Sequence, residues 1–178
     1  NTTIGAFSAA FTGTGSYNTA HGVYALYNNK FGNRNMALGN YALYTAISND
    51  DNLAIGDSAL YLIQGTTNTS VGESSMRLAT TGNNNTSLGY QTLYNNTVAN
   101  RSTAIGARAG YSYANGSNCT FVGAYADANA AGYTNSTALG DGSVMNANNK
   151  VRLGNAATTV VEGQVAYTFP SDGRFKTN

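Results

Sequence analysis

Tryptophan is absent from this 178-residue chain, and cysteine and proline occur once each, as Cys119 and Pro170. A single cysteine excludes a disulfide within one chain. Charge is scarce as well: nine Lys and Arg stand against eight Asp and Glu, for a net charge of +1. That balance leaves no basic patch for nucleic acid or an anionic membrane surface. No apolar run reaches the ~20 residues that cross a bilayer, so direct membrane insertion is not expected. Nucleophile elbows, phosphate-binding loops and zinc spacings are missing too. The acids are Asp50, Asp51, Asp57, Glu73, Asp127, Asp141, Glu162 and Asp172. Glycosidase chemistry needs two carboxylates paired across a cleft, and nothing in the sequence pairs these. We expect no enzyme, no cofactor and no metal.

What remains is rich in Gly, Asn, Thr, Ser and Ala, with 13 tyrosines. Such a composition resembles disorder, but regularly spaced aliphatics contradict that. Gly5, Gly22, Gly39, Gly56, Gly72, Gly89, Gly106, Gly123, Gly140 and Gly154 follow one another at 17 residues, with one step of 16 and a last step of 14. Four residues before each glycine sits Asn through Asn85, then Ser102, Cys119, Ser136 and Lys150. One before it sits an aliphatic, with His21 the exception. Three after it sits a small residue, then an apolar one such as Leu26, then often Tyr, as in Tyr27 and Tyr44.

A period this short specifies a stacked, quasi-one-dimensional fold. Each unit reads as two runs of about five residues, a strand length, with a bend at the glycine and a polar turn to close. Coils stacked at the strand spacing of roughly 4.8 Å would build a rod on the order of 45 Å long. Alternation along the second run is expected to put the small residue and Tyr on one face. The apolar residue would share the other face with Tyr24, Tyr41 or Tyr125. One face can line the interior; the other needs a second surface, and an identical chain is the natural candidate. The expected fold class is all-β, a parallel β-roll or solenoid of about 17-residue coils, in a homo-oligomer.

Asn18-Thr19-Ala20-His21-Gly22, Asn35-Met36-Ala37-Leu38-Gly39 and Ser102-Thr103-Ala104-Ile105-Gly106 resemble the head repeats of YadA-type trimeric autotransporter adhesins. The likeness covers residues 1–154. It implies a left-handed β-roll and a side-by-side homotrimer, displayed on a bacterial surface to bind host matrix, cells or glycans. The period of 17 exceeds the roughly 14 common in that family, so each coil carries a longer peripheral turn. Residues 155–178 form a connector. Within it, Ser171-Asp172-Gly173-Arg174-Phe175-Lys176-Thr177-Asn178 resembles the opening of an endosialidase-type intramolecular chaperone. That implies a scission point at Ser171 and Asp172, and it widens the source to phage tail fibres and spikes. The remainder of such a chaperone does not follow Asn178 in this sequence. Because Asn1 falls in mid-repeat, the chain is expected to be a piece of a longer one.

The expected function is a non-catalytic head or shaft segment of a cell-surface or extracellular trimeric fibre, adhering to a host or cell-surface glycan or protein through variable turns. The alternatives are a virion tail-fibre segment for receptor binding or a purely structural spacer. Candidate contact residues differ from coil to coil: Lys30, Phe31, Arg34, Asp50, Asp51, Gln64, Arg77, Asn95, Asn96, Arg101 and Tyr113. His21 is read as a packing histidine, against three copies converging on an ion. Cys119 is read as a small buried residue, against a reactive or interchain thiol. The Asn column is read as stacked amides bonding turn backbone, and chance explains its Asn-x-Ser/Thr glycosylation matches. The Thr column (Thr2, Thr19, Thr69, Thr86, Thr103, Thr120, Thr137) would suit ice binding were it not broken by Met36 and Leu53 and shared with the core aliphatics. Tyr27, Tyr44, Tyr61, Tyr94 and Tyr111 are read as interchain packing, against stacking on sugars.

Overall fold

The computed structural model describes residues 1–11 and 13–162. Among them there is no helix. One three-residue strand precedes each repeat glycine. These are β1 (Thr2–Ile4), β2 (Thr19–His21), β3 (Met36–Leu38), β4 (Leu53–Ile55), β5 (Thr69–Val71), β6 (Thr86–Leu88), β7 (Thr103–Ile105), β8 (Thr120–Val122), β10 (Thr137–Leu139) and β12 (Val151–Leu153). They form one ten-stranded sheet in chain order. Every ladder is parallel and in strict repeat register, as in Thr19↔Met36 and Thr103↔Thr120. Two shorter strands, β9 (Asp127–Ala128) and β11 (Val144–Met145), pair beside it. The protein is a parallel β-solenoid, as its period predicts.

The glycine turns each coil's corner. Gly56 sits at φ +129°, and a Cβ there would lie 2.6 Å from the backbone of Gly72 in the next coil. A side chain would have both the wrong backbone region and no space.

The second run differs from the sequence expectation. Through the coil that starts at Gly106 it is not a strand. Tyr24 (φ 58°) and Leu26 (φ 50°) are both left-handed, and the pattern repeats at Tyr41 and Leu43. Two such residues flanking a third break the alternation of a pleat. Ala25 and Leu26 therefore both point inward and are fully buried, while Tyr24 and Tyr27 both lie on the outer side, their ring centroids 5.1 Å apart. The backbone stays satisfied because its amides alternate direction. Tyr24 N–H donates to Ala6 in the coil before, and Leu26 N–H donates to Ala42 in the coil after. Only from β9 onward does this run become extended.

The interior is thin, with small residues on the sheet side facing a column of larger apolar ones. Ala20, Ala37, Ala54, Ser70, Ser87 and Ala104 point in from the sheet; Ala25, Leu26 and their repeats close the opposite wall. The strand aliphatics expected in the core face the other way. Strand alternation places Thr19 and His21 outside when Ala20 is inside, and the same holds for Ile4, Leu88, Ile105 and Leu139. The asparagine column is interior, as expected. Asn35 N–H donates to Asn18 Oδ1 (2.9 Å), Asn52 N–H to Asn35 Oδ1 (3.0 Å) and Asn68 N–H to Asn52 Oδ1 (3.0 Å). Each Nδ2 then reaches a turn carbonyl, as from Asn68 to Gly82 at 2.8 Å. Cys119 continues this column and is buried. His21 is exposed on the sheet's outer face.

Candidate ligand-binding surface

Three surfaces follow the solenoid axis, each set by a fixed position relative to the corner glycine.

The first is the outer face of the ten-stranded sheet. It presents threonines and aliphatics in two columns. Ile4, Met36, Leu88, Ile105, Leu139 and Leu153 are each at least 40% exposed. These side chains lie uncovered in the single chain.

The second surface is aromatic and lies just past the corner. Two residues after the glycine, Phe7, Tyr24 and Tyr41 stack with centroids 5.1 and 5.2 Å apart and interplanar angles of 7° and 17°. Five after it, Tyr27, Tyr44 and Tyr61 stack at 5.3 and 5.0 Å, within 4° of parallel. Phe11 caps that file edge-on against Tyr27. Arg77 succeeds Tyr61: its guanidinium lies 5.4 Å from the Tyr61 ring centroid, and Nη1 donates to the Tyr94 hydroxyl at 3.1 Å. Tyr94 and Tyr111 then resume the stack. The regular Tyr spacing thus makes intrachain ladders in the chain itself. Burial by its stacked neighbours raises the Tyr44 phenol above its ordinary value. The first file stops at Tyr41, because the next position is Ser58. A notch of about 360 Å³ opens there, lined by Tyr41, Asp57, Ser58, Tyr61 and Arg77.

The third surface follows the polar turns. Arg34 forms a two-point pair with Asp51, Nε to Oδ1 at 2.6 Å and Nη2 to Oδ2 at 2.9 Å. The hydrogen bonds from Arg34 hold the Asp51 carboxyl below its usual value, and the same contact raises Arg34. Asp50 accepts from the Asn33 backbone at 2.7 Å. Further along, Thr66, Asn83, Asn84, Asn100, Arg101 and Ser117 line an open groove of about 490 Å³. Arg101 is held there by Nε donating to Asn118 Oδ1 at 2.9 Å.

Of the residues expected to contact a ligand, Lys30, Phe31, Arg34, Asp51, Gln64 and Arg101 are exposed. Asp50, Arg77 and Asn95 are half-buried. Asn96 and Tyr113 do not project at all. Both are fully buried, because the position seven residues after the glycine points inward in every coil from Gly22 to Gly106. Asn96 Oδ1 accepts from Ala99 N–H at 2.9 Å, while its Nδ2 has no partner among the described residues. Tyr113 packs on Phe121 with centroids 5.0 Å apart, and burial pushes its phenol well above the usual value. Apolar Ala46, Ile63 and Ala79 in that column were the signal in the sequence. Sequence reasoning also missed Tyr41, Asp57 and Ser58; the change from aromatic to serine in one column would have found them. Ser171 and Asp172, the expected scission positions, lie outside the described residues.

Among the described residues no three His, Cys, Asp or Glu gather to hold a metal ion. Comparisons with protein-family models, with curated proteins and with solved structures found no match.

Proposed function

We propose that the chain is a non-catalytic segment of a trimeric surface fibre, displayed on a cell or a virion tail, that adheres to glycan or protein through its variable outer positions. The exposed columns of the ten-stranded sheet carry this reading. Aliphatic side chains in register over the whole rod are costly in water at about 25 cal/mol per Å². Sister chains placed side by side would cover them. The repeat likeness to trimeric adhesin heads supports three copies and a left-handed wind, and the C-terminal likeness to a fibre chaperone supports the same assembly. A stiff rod built this way holds the aromatic and turn surfaces at fixed spacing, and three copies multiply weak contacts through avidity.

Light scattering tests the assembly: a mass of three times 18.5 kDa is expected, and a stable monomer in dilute buffer would overturn it. A glycan and matrix-protein array tests adhesion. Retention that disappears on substituting outer side chains, without melting the rod, is expected; silence across the array would favour the spacer reading.

A further inference from the structure

A stacked aromatic file uses up its own ring faces. Tyr24 has Phe7 on one side and Tyr41 on the other. In the second file Tyr44 is enclosed by Tyr27 and Tyr61, and Arg77 covers the far side of Tyr61. Tyr41 is different. Its following face meets no stacked ring, since Tyr61 is tilted 55° to it at 6.3 Å. That free face is the wall of the notch, and Tyr41 is exposed.

Polar groups converge beside it. Asp57 Oδ2 accepts from Ser58 Oγ at 2.9 Å, and its Oδ1 has no partner among the described residues. Arg77 commits Nη1 to Tyr94 and keeps further N–H groups for a ligand. We propose that this notch binds one neutral hexopyranose ring of a glycan. The inference rests on the adhesive reading above and gives it a ligand class. A pyranose offers a C–H face to an aromatic ring and a rim of hydroxyls to a carboxylate and a guanidinium. The volume falls at the low end of the range of small-molecule sites, and the notch is open and mostly polar apart from its aromatic wall, which suits a single hydroxyl-rich ring rather than an apolar ligand. Charge decides the class. Asp57 and Arg77 line the notch together, so its formal charges balance: the carboxylate disfavours an acidic sugar and the guanidinium disfavours a cation.

Ser58 provides the decisive variant. Its φ of 54° matches Tyr24 at 58° and Tyr41 at 56°, so Ser58→Tyr extends the file and fills the notch on a backbone that already carries tyrosine. The probes are methyl glucoside, methyl galactoside and methyl mannoside, titrated by NMR against the assembled protein. Saturable shifts of the Tyr41 and Tyr61 ring signals are expected for at least one glycoside, with glucuronic acid binding more weakly. Ser58→Tyr should lose at least about tenfold in affinity with an unchanged thermal midpoint. Asp57→Asn, which alters no packing, should also weaken binding. Absence of ring shifts with all three glycosides, or full affinity in Ser58→Tyr, overturns the notch. Array retention that survives Ser58→Tyr overturns the notch and leaves adhesion standing; no retention of the parent protein on the array overturns both.

Discussion

Gly110 makes room for Phe121. A Cβ at Gly110 would lie 3.2 Å from the Phe121 ring and 2.7 Å from Leu93. In the coils from Gly22 to Gly89 the Gly110 position holds Leu26, Leu43, Leu60, Met76 or Leu93, and the Phe121 position holds Ala or Ser. One coil has moved its bulk from the outer wall to the strand. Gly110→Leu should therefore cost about 1–3 kcal/mol by overpacking. Adding Phe121→Ala should restore most of it, with a coupling above about 1 kcal/mol in a denaturation double-mutant cycle.

The asparagine column should be intolerant at its centre. Asn52 Oδ1 accepts from the Asn68 backbone, and Nδ2 donates to Gly65 O at 3.0 Å. Asn52→Ala strands both groups in a buried place, for a loss of about 1–3 kcal/mol. Hydrogen exchange should quicken at Asn68 and its neighbouring coils before the rod ends respond.

Two aspartates should tilt acid stability in opposite directions. The Asp51 carboxyl is lowered by hydrogen bonds from Arg34. Its contribution is present above the unfolded value of about 3.9 and is lost as pH falls through the folded value. The Asp127 carboxyl is raised by burial, in spite of accepting from the Ser112 and Ala128 backbones. There the unfolded chain releases its proton first, so stability falls as pH climbs from about 3.9 through the folded value. Thermal midpoints between pH 2 and 7 should lose their acid-side rise in Asp51→Asn and gain slope in Asp127→Asn.

A charge on the sheet's outer face should separate assembly from folding. Leu88 is 49% exposed in the single chain. Leu88→Glu should leave circular dichroism intact and reduce the light-scattering mass to that of one chain. An unchanged oligomer would place the interface elsewhere.

Much of this architecture was legible because a solenoid makes every coil answer the same demands. The glycine column reports a corner that only glycine fits, and the asparagine column reports backbone needing an amide. Leu26 resisted reading for the opposite reason. Its left-handed φ is one that branched, bulky residues avoid, so local preference argues against the conformation that stacking imposes. Tyr113 reads as a turn residue because polar neighbours surround it, although its column is apolar in three other coils. The aromatic ladders were visible as spacing, yet spacing alone does not say whether rings meet within one chain or between chains. The notch was hidden because it is defined by a missing ring at Ser58.

Register between coils carries a consequence for length. Each strand bonds only to the one before and the one after, in repeat register. Excising residues 40–56 would join Gly39 to Asp57 and leave every column continuous. The rod would shorten by one step of roughly 4.8 Å, Tyr24 would become the last ring of its file, and the notch would travel with it. Growth and loss in this molecule are quantised, and a landmark on its flank can be relocated without redesigning anything beneath it.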